Sequence, residues 1–109
     1  MAIAEITVIP VGTGSTSLSA YVAELHAYLT AQQTAGSLSF QMTAMGTILE
    51  GELDELFRVI RGMHELPFEA GAQRVCTSVK FDDRRDKPGS VRQKLESVER
   101  QLERRRSEL

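Results

Sequence analysis

The sequence predicts an α+β fold in which helices cover one face of a four-stranded antiparallel sheet. Four segments have the alternating or β-branched pattern of strands, and three have the 3.6-residue period of amphipathic helices. Turn-forming glycine, proline and serine residues lie between them. The order is β-α-β-β-α-β followed by one more helix. This is the ferredoxin-like βαββαβ sandwich with an extra C-terminal helix.

The first strand and helix are joined by a loop rich in hydroxyl groups. Residues 2–9 are β-branched and end before Pro10, which predicts a strand. The loop GTGSTS at 12–17 follows, and we expect Ser17 or Ser19 to cap the next helix. Its predicted apolar face has helical spacing and consists of Leu18, Val22, Leu25 and Leu29.

The middle of the chain predicts a hairpin and a second helix. Residues 38–44 alternate apolar and polar side chains, and TILE at 47–50 is the expected partner strand after Gly46. The helix has acids in its first turn, and we expect Pro67 to kink or shorten its end and Gly71 to end the segment. Its predicted apolar face is Leu53, Leu56, Phe57, Ile60 and Met63.

Residues 73–83 predict the last strand, and a third helix follows it. SVRQ at 90–93 fits a capping box. The helix has an apolar stripe with helical spacing, formed by Val91, Leu95, Val98 and Leu102.

One face of the predicted sheet is left mostly uncovered, because the third helix is too small to cover it. That face mixes apolar, charged and hydroxyl groups, which favours subunit association with polar pockets inside the interface. The first and last predicted strands contribute Ile3, Glu5, Thr7, Ile9, Arg74, Cys76, Ser78 and Lys80 to it.

Composition excludes several classes of function. The 109 residues predict a single domain, 1–109, and a net charge of -2 gives no electrostatic reason to expect nucleic acid. We find no apolar run long enough to span a membrane and no signal-peptide pattern. The one cysteine cannot form an internal disulfide, so we expect a cytoplasmic protein.

Most other chemical groups have a simple structural interpretation. His26 and His64 lack a second ligand at metal-binding spacing, so the sequence predicts no metal site. Cys76 is expected to be a small buried residue. The loop at 12–17 lacks the known phosphate-binding glycine motifs. DDRRDK at 82–87 favours a solvated turn over an anion site or an intersubunit salt-bridge network.

Glu50 is the acid whose position needs explanation. It ends the short strand TILE, where it could serve the dipole of the following helix or bind a ligand. Glu52, Asp54 and Glu55 already supply negative charge there, so a fourth acid adds mostly repulsion. A carboxylate in a pocket would suit a cationic or amine-bearing ligand, and we favour that interpretation.

The chain resembles the thiamine-binding protein family, small ferredoxin-like proteins once catalogued as a domain of unknown function. Three segments in this order and spacing carry the resemblance: VIPVGTGSTSLSAYVAEL, MGTILEGELDELFRVI and AGAQRVCTSVKFDDRRDK. It covers about residues 4–98. Its most specific part is G-T-x-x-E-G with R-V-x-T-S-x-K downstream, although Cys76 stands where an aliphatic residue is expected.

The resemblance implies binding of thiamine or its hydroxymethyl-pyrimidine precursor, without catalysis and without a cofactor. It places Thr47 and Glu50 at the ligand, with Ser17 and Lys80 as further candidates. It also implies a homo-oligomer paired through sheets. We expect a homotetramer, or alternatively a homodimer, because the uncovered face and the DDRRDK turn both need partners. A ligand-free regulatory or assembly module of the same fold is the main alternative.

Overall fold

The computed structural model describes residues 1–36, 38–87 and 90–108. Four strands and three helices follow in the predicted order. They are β1 (Ala2–Val11), α1 (Ser19–Thr34), β2 (Leu38–Met42), β3 (Thr47–Gly51), α2 (Leu53–Glu69), β4 (Arg74–Asp82) and α3 (Val91–Ser107). Across the described ranges, no helix is long and apolar enough to cross a membrane.

The strands form one antiparallel sheet in the order β2-β3-β1-β4, which confirms the ferredoxin-like prediction. β1 lies at the centre, with Ile3 opposite Glu50 of β3 and Asp82 of β4. Because side chains alternate across a strand, this register divides the sheet into a helix-covered face and an open face. The predicted β2–β3 hairpin is also confirmed.

The core lies between the sheet and the helices α1 and α2. Alternate residues of β1 are buried on this side, together with Leu49 of β3. The helices contribute Leu25, Leu29, Leu56, Val59, Ile60 and Met63. Burying one such aliphatic side chain contributes about 1.5–3 kcal/mol, so this layer supplies most of the stability.

One local prediction at the helix ends was wrong, and others are confirmed. α1 begins after Leu18 with no side-chain cap, so neither Ser17 nor Ser19 caps it as expected. Pro67 lies buried inside the last turn of α2, which ends at Glu69 before Gly71, as expected. The Ser90 hydroxyl oxygen accepts a hydrogen bond from the Gln93 amide at 3.1 Å, as the capping box predicts.

Three residues of the apolar faces predicted for α1 and α2 are exposed. Leu18 and Val22 lie at the start of α1, beyond the edge of the core, while Leu25 and Leu29 are buried as expected. Phe57 of α2 is also exposed, and its ring lies 4.9 Å from that of Phe81 in β4. The periodicity therefore predicted the helices correctly but set the buried faces too wide.

Two glycines allow close approaches that position these layers. A Cβ at Gly62 of α2 would lie 1.9 Å from the hydroxyl oxygen of Tyr28 in α1, so the helices pack closely there. A Cβ at Gly46 would lie 2.9 Å from the carbonyl oxygen of Ile6. The glycine of the G-T-x-x-E-G segment therefore lets the β2–β3 turn approach β1.

Candidate functional site

The open face carries the groups with the most distinctive chemistry. Glu50 lies between Ser39 of β2 and Ile3 of β1, and the next row across the sheet places Glu5 opposite both Ile48 and Lys80. Further along the sheet, Thr7 pairs with Ser78 and Ile9 with Cys76. Asp82 lies opposite Ile3. Three carboxylates, the Lys80 ammonium and several aliphatic groups thus share one end of this face.

Glu50 lies inside strand β3, not in the first turn of α2. It is half-buried on the open face, next to Ile3 and across the strand from the core. Asp54 and Glu55 occupy the first turn of α2, where they serve the helix dipole. A half-buried acid among aliphatic groups benefits from a charged or hydrogen-bonding partner, as a bound ligand would provide.

A groove of about 490 Å³ runs along this end of the open face, beside the start of α3. Lys94 of the helix forms an ion pair with Asp82 of β4, with 2.5 Å between nitrogen and oxygen. This contact joins the start of α3 to the sheet. The sheet side of the groove includes Ile3, Glu5, Ile48, Lys80 and Asp82, and the helix side is Val91, Lys94 and Leu95. Its mixture of acidic, basic and aliphatic groups suits a small heterocycle that carries both polar and charged atoms.

Thr47 lies on the other face of the sheet. It is only 2% exposed and pairs with Ile6 and Met42 in the core layer. Thr47 and Glu50 are three residues apart in one strand, so their side chains point to opposite faces. The structure therefore does not bring the two side chains together within a protomer, and the placement of both at the ligand stays a prediction.

Ser17 lies at the opposite end of β1 from Glu50. Its hydroxyl is 3.2 Å from that of Ser19, and its amide donates to the Ser15 hydroxyl. It lines a separate pocket of about 230 Å³ beside Pro10 and Tyr21. The structure groups Lys80 and Glu50 on one face and leaves Ser17 elsewhere.

The Tyr21 hydroxyl beside that pocket was not singled out from the sequence. It is buried and has no hydrogen-bond partner among the residues that the structure describes. Burial raises the pKa of Tyr21 to about 12. An aromatic residue in an amphipathic helix gives no signal, in sequence alone, of whether its hydroxyl finds a partner.

The DDRRDK segment satisfies most of its charges internally. Arg84 pairs with Asp86 at 2.6 Å and Arg85 with Asp83 at 2.7 Å, both in exposed positions. Hydrogen bonds from these arginines lower the pKa of both aspartates. This arrangement fits the solvated turn favoured by the sequence.

The remaining reactive groups show no assembled site. No cluster of three metal-binding side chains occurs in the described ranges. His64 packs against Phe68, and its Nδ1 lies 2.7 Å from the Thr77 hydroxyl, so it is a helix-packing histidine. Cys76 is exposed on the open face. The prediction that it is buried was wrong for a protomer, because β4 presents it on the face that α1 and α2 do not cover.

The family sequence pattern described as "Thiamine-binding protein" matches residues 4–99. This chain belongs to the thiamine-binding protein family. The matched range includes all four strands, α1, α2 and the first half of α3, so the family assignment covers both faces of the sheet.

Relatives agree with this family assignment over nearly the whole chain. The UPF0045 protein YqgV of Bacillus subtilis is 48% identical over 103 residues, which cover 94% of this chain and 99% of the relative. The solved structure of MJ1052 from Methanocaldococcus jannaschii is 33% identical, with a TM-score of 0.76, covering 89% of this chain and 94% of that one. A Thermotoga maritima structure, 14% identical with a TM-score of 0.60, covers 89% and 97% and shows the fold alone.

Proposed function

We propose that this protein binds thiamine or its hydroxymethyl-pyrimidine precursor, without catalysis, on the open face of the sheet. Membership of the thiamine-binding protein family supports the ligand class. The observation that supports the location is Glu50, a half-buried carboxylate beside Ile3 on the face that α1 and α2 leave open.

The chemistry of the ligand matches these groups. An aminopyrimidine has an exocyclic amine, which donates to a carboxylate, and ring nitrogens, which accept from a hydroxyl or ammonium. Glu50 can accept from the amine, and Lys80 can donate to a ring nitrogen or a phosphate. The thiazolium of thiamine is a permanent cation. Because the chain has no tryptophan and only two tyrosines, the acids Glu50 and Glu5 must supply much of its attraction.

A second subunit would complete the pocket. In one protomer the open face is exposed to solvent at Glu5, Ile9 and Cys76. Packing this face against its copy would enclose the groove and raise the strength of each charge-assisted contact. We propose a homotetramer built as a dimer of dimers, with a homodimer as the alternative.

The other two predicted ligand contacts, Thr47 and Ser17, would act in different ways. Thr47 lies in the core layer and would act through the position of β3, since its hydroxyl is almost inaccessible. Ser17 lies at the far end of β1, so it could contact the same ligand only from a neighbouring subunit. Both remain predictions.

A substitution at Glu50 tests the proposal, after a thermal-shift panel of thiamine, its phosphates and hydroxymethyl-pyrimidine has found the best ligand. Glu50→Gln removes a charge-assisted hydrogen bond, typically about 1.5–3 kcal/mol, and we expect roughly a ten- to hundredfold loss of affinity by calorimetry. Thr47→Val should cost less.

Glu52→Gln is the matched control. It makes the same chemical change two residues later, at the N-cap of α2. We expect Glu52→Gln to leave thiamine affinity unchanged. Unchanged affinity in Glu50→Gln, with an intact oligomer, would remove Glu50 from the ligand site. An assembled protein that no compound of the panel stabilises would favour a ligand-free assembly module instead.

A further inference from the structure

The third helix has an apolar stripe that no other described part of the protomer buries. α3 is a 17-residue helix in which no residue is buried. Leu95 is 61% exposed, Val98 57% and Leu102 39%, although the rest of the helix is highly charged. Together with Val91, these residues have the 4-3-4 spacing of the a and d positions of a coiled coil, which favours another helix as the occupant.

The position of α3 leaves this stripe accessible. Its first turns lie beside the groove, where Lys94 pairs with Asp82. The molecule is 55 Å long but only 31 by 21 Å across, and a helix of this length extends about 25 Å. α1 and α2 are both packed on the other face of the sheet. The remaining helix with the same spacing is α3 of a second copy.

We propose that α3 pairs antiparallel with α3 of a second copy and thereby closes the groove on the open face. In one antiparallel register all four apolar residues find apolar partners: Val91 lies opposite the partner's Leu102, and Leu95 opposite the partner's Val98. This register joins the two most exposed members of the stripe to each other.

Charge supports the same register. Arg92 and Glu99 flank the stripe on one side, and the antiparallel register places Arg92 of each helix opposite the partner's Glu99. The other flank places Lys94 opposite the partner's Gln101, which adds no repulsion. The charged flanks thus favour the register that the apolar residues select.

The pairing would add a residue from the second subunit to the candidate site. Val91 lines the groove beside Glu5 and Lys80, so the partner's Leu102 would lie at the mouth of that groove. Four aliphatic side chains from each subunit cover less than the roughly 1,200–2,000 Å² of a stable interface. The α3 pair must therefore extend an interface that the open face begins. What the groove holds rests on the proposed function.

A disulfide test distinguishes the possible pairings. In a Cys76→Ser background, the double variant Val91→Cys/Leu102→Cys is oxidised with oxidised glutathione, and the linked peptides are mapped. The two positions are about 16 Å apart on one helix, too far for an internal bond. We expect a covalent dimer in which position 91 of one subunit is joined to position 102 of the other.

The matched control is Gln93→Cys/Arg104→Cys in the same background. It has the same spacing on the opposite side of α3 and should give at least tenfold less covalent dimer. Links between two copies of position 102 would indicate parallel helices and overturn the proposal, as would no dimer or equal dimer in the control. A thermal shift by thiamine without the expected link overturns this inference alone. The expected link without any ligand shift overturns the proposed function alone.

Discussion

The two faces of the sheet differ in chemistry although the same strands form both. Along β1, Ala2, Ala4, Ile6 and Val8 are buried beneath helices, whereas Ile3, Glu5, Thr7 and Ile9 form the open face. The covered face is apolar apart from threonines such as Thr47. The open face mixes acids, lysine, hydroxyls and aliphatic groups within one strand spacing of each other.

This difference indicates that the two faces have separate tasks. The covered face has the composition of a packed core, which needs only volume and shape to hold the helices. The open face keeps polar groups that contribute nothing to packing in the protomer, and it leaves aliphatic groups in water. Such a surface gains free energy only when a ligand or a second subunit covers it.

The largest expected effect tests this division at two adjacent residues. Leu49→Ala removes a fully buried side chain from the covered face and should lower the free energy of unfolding by about 2–5 kcal/mol. Ile48→Ala on the open face should cost less, about 1 kcal/mol, since that side chain is already partly exposed. Urea unfolding at one protein concentration measures both, and equal losses would contradict the separation of tasks.

A smaller effect is expected where the covered face holds its two helices together. Gly62→Ala would force the Tyr28 ring to move and break its hydrogen bond to the Val59 carbonyl, 3.3 Å in length. We expect a loss of about 1–3 kcal/mol in unfolding free energy, with thiamine affinity unchanged. The control must measure the difference in helix propensity between glycine and alanine, about 1 kcal/mol. Ala31→Gly, at an exposed position of α1, measures it. Gly36→Ala would not, because Gly36 has a positive φ.

The sequence predicted the fold well because its signals were local. The alternation in β1, the helical spacing of Leu25 and Leu29, and the Ser90 cap each depend on a few neighbouring residues. The errors arose where distant packing decides. Nothing near Cys76 shows that β4 presents it on the uncovered face, and nothing near Leu18 shows that α1 begins without a side-chain cap.

The candidate site was predicted only in part. Glu50 and Lys80 lie on one face, as alternation in their strands requires once the register is known. The opposite orientation of Thr47 could have been found from the sequence, because residues three apart in a strand lie on opposite faces. Glu5 was placed on the open face but not singled out, since its pairing with Lys80 depends on a contact between strands far apart in sequence.

The smallest expected effect concerns the buried Tyr21 hydroxyl at the edge of the covered face. Tyr21→Phe removes a polar group without a described partner, so unfolding free energy at pH 7 should change by less than about 1 kcal/mol. Burial raises the folded-state pKa of Tyr21 from 10.0 to about 12. The folded protein therefore holds this proton more tightly, and stability should fall as pH rises from 10 to 12.

In Tyr21→Phe that alkaline loss should be smaller but not absent, because burial also raises the pKa of Tyr28. Unfolding curves at pH 9 and pH 11 measure the difference. An equal loss in both proteins would contradict the burial of the Tyr21 hydroxyl.

Methyl NMR of isoleucine-labelled protein during a thiamine titration tests most directly which face binds the ligand. Ile3 and Ile48 line the groove on the open face, whereas Ile6 and Ile60 are buried in the core between the sheet and the helices. We predict that the Ile3 and Ile48 methyl signals shift with thiamine, that Ile6 and Ile60 stay in place, and that Glu50→Gln needs more ligand for the same shifts. Shifts confined to Ile6 and Ile60, with Ile3 and Ile48 unchanged at saturation, would contradict an open-face site.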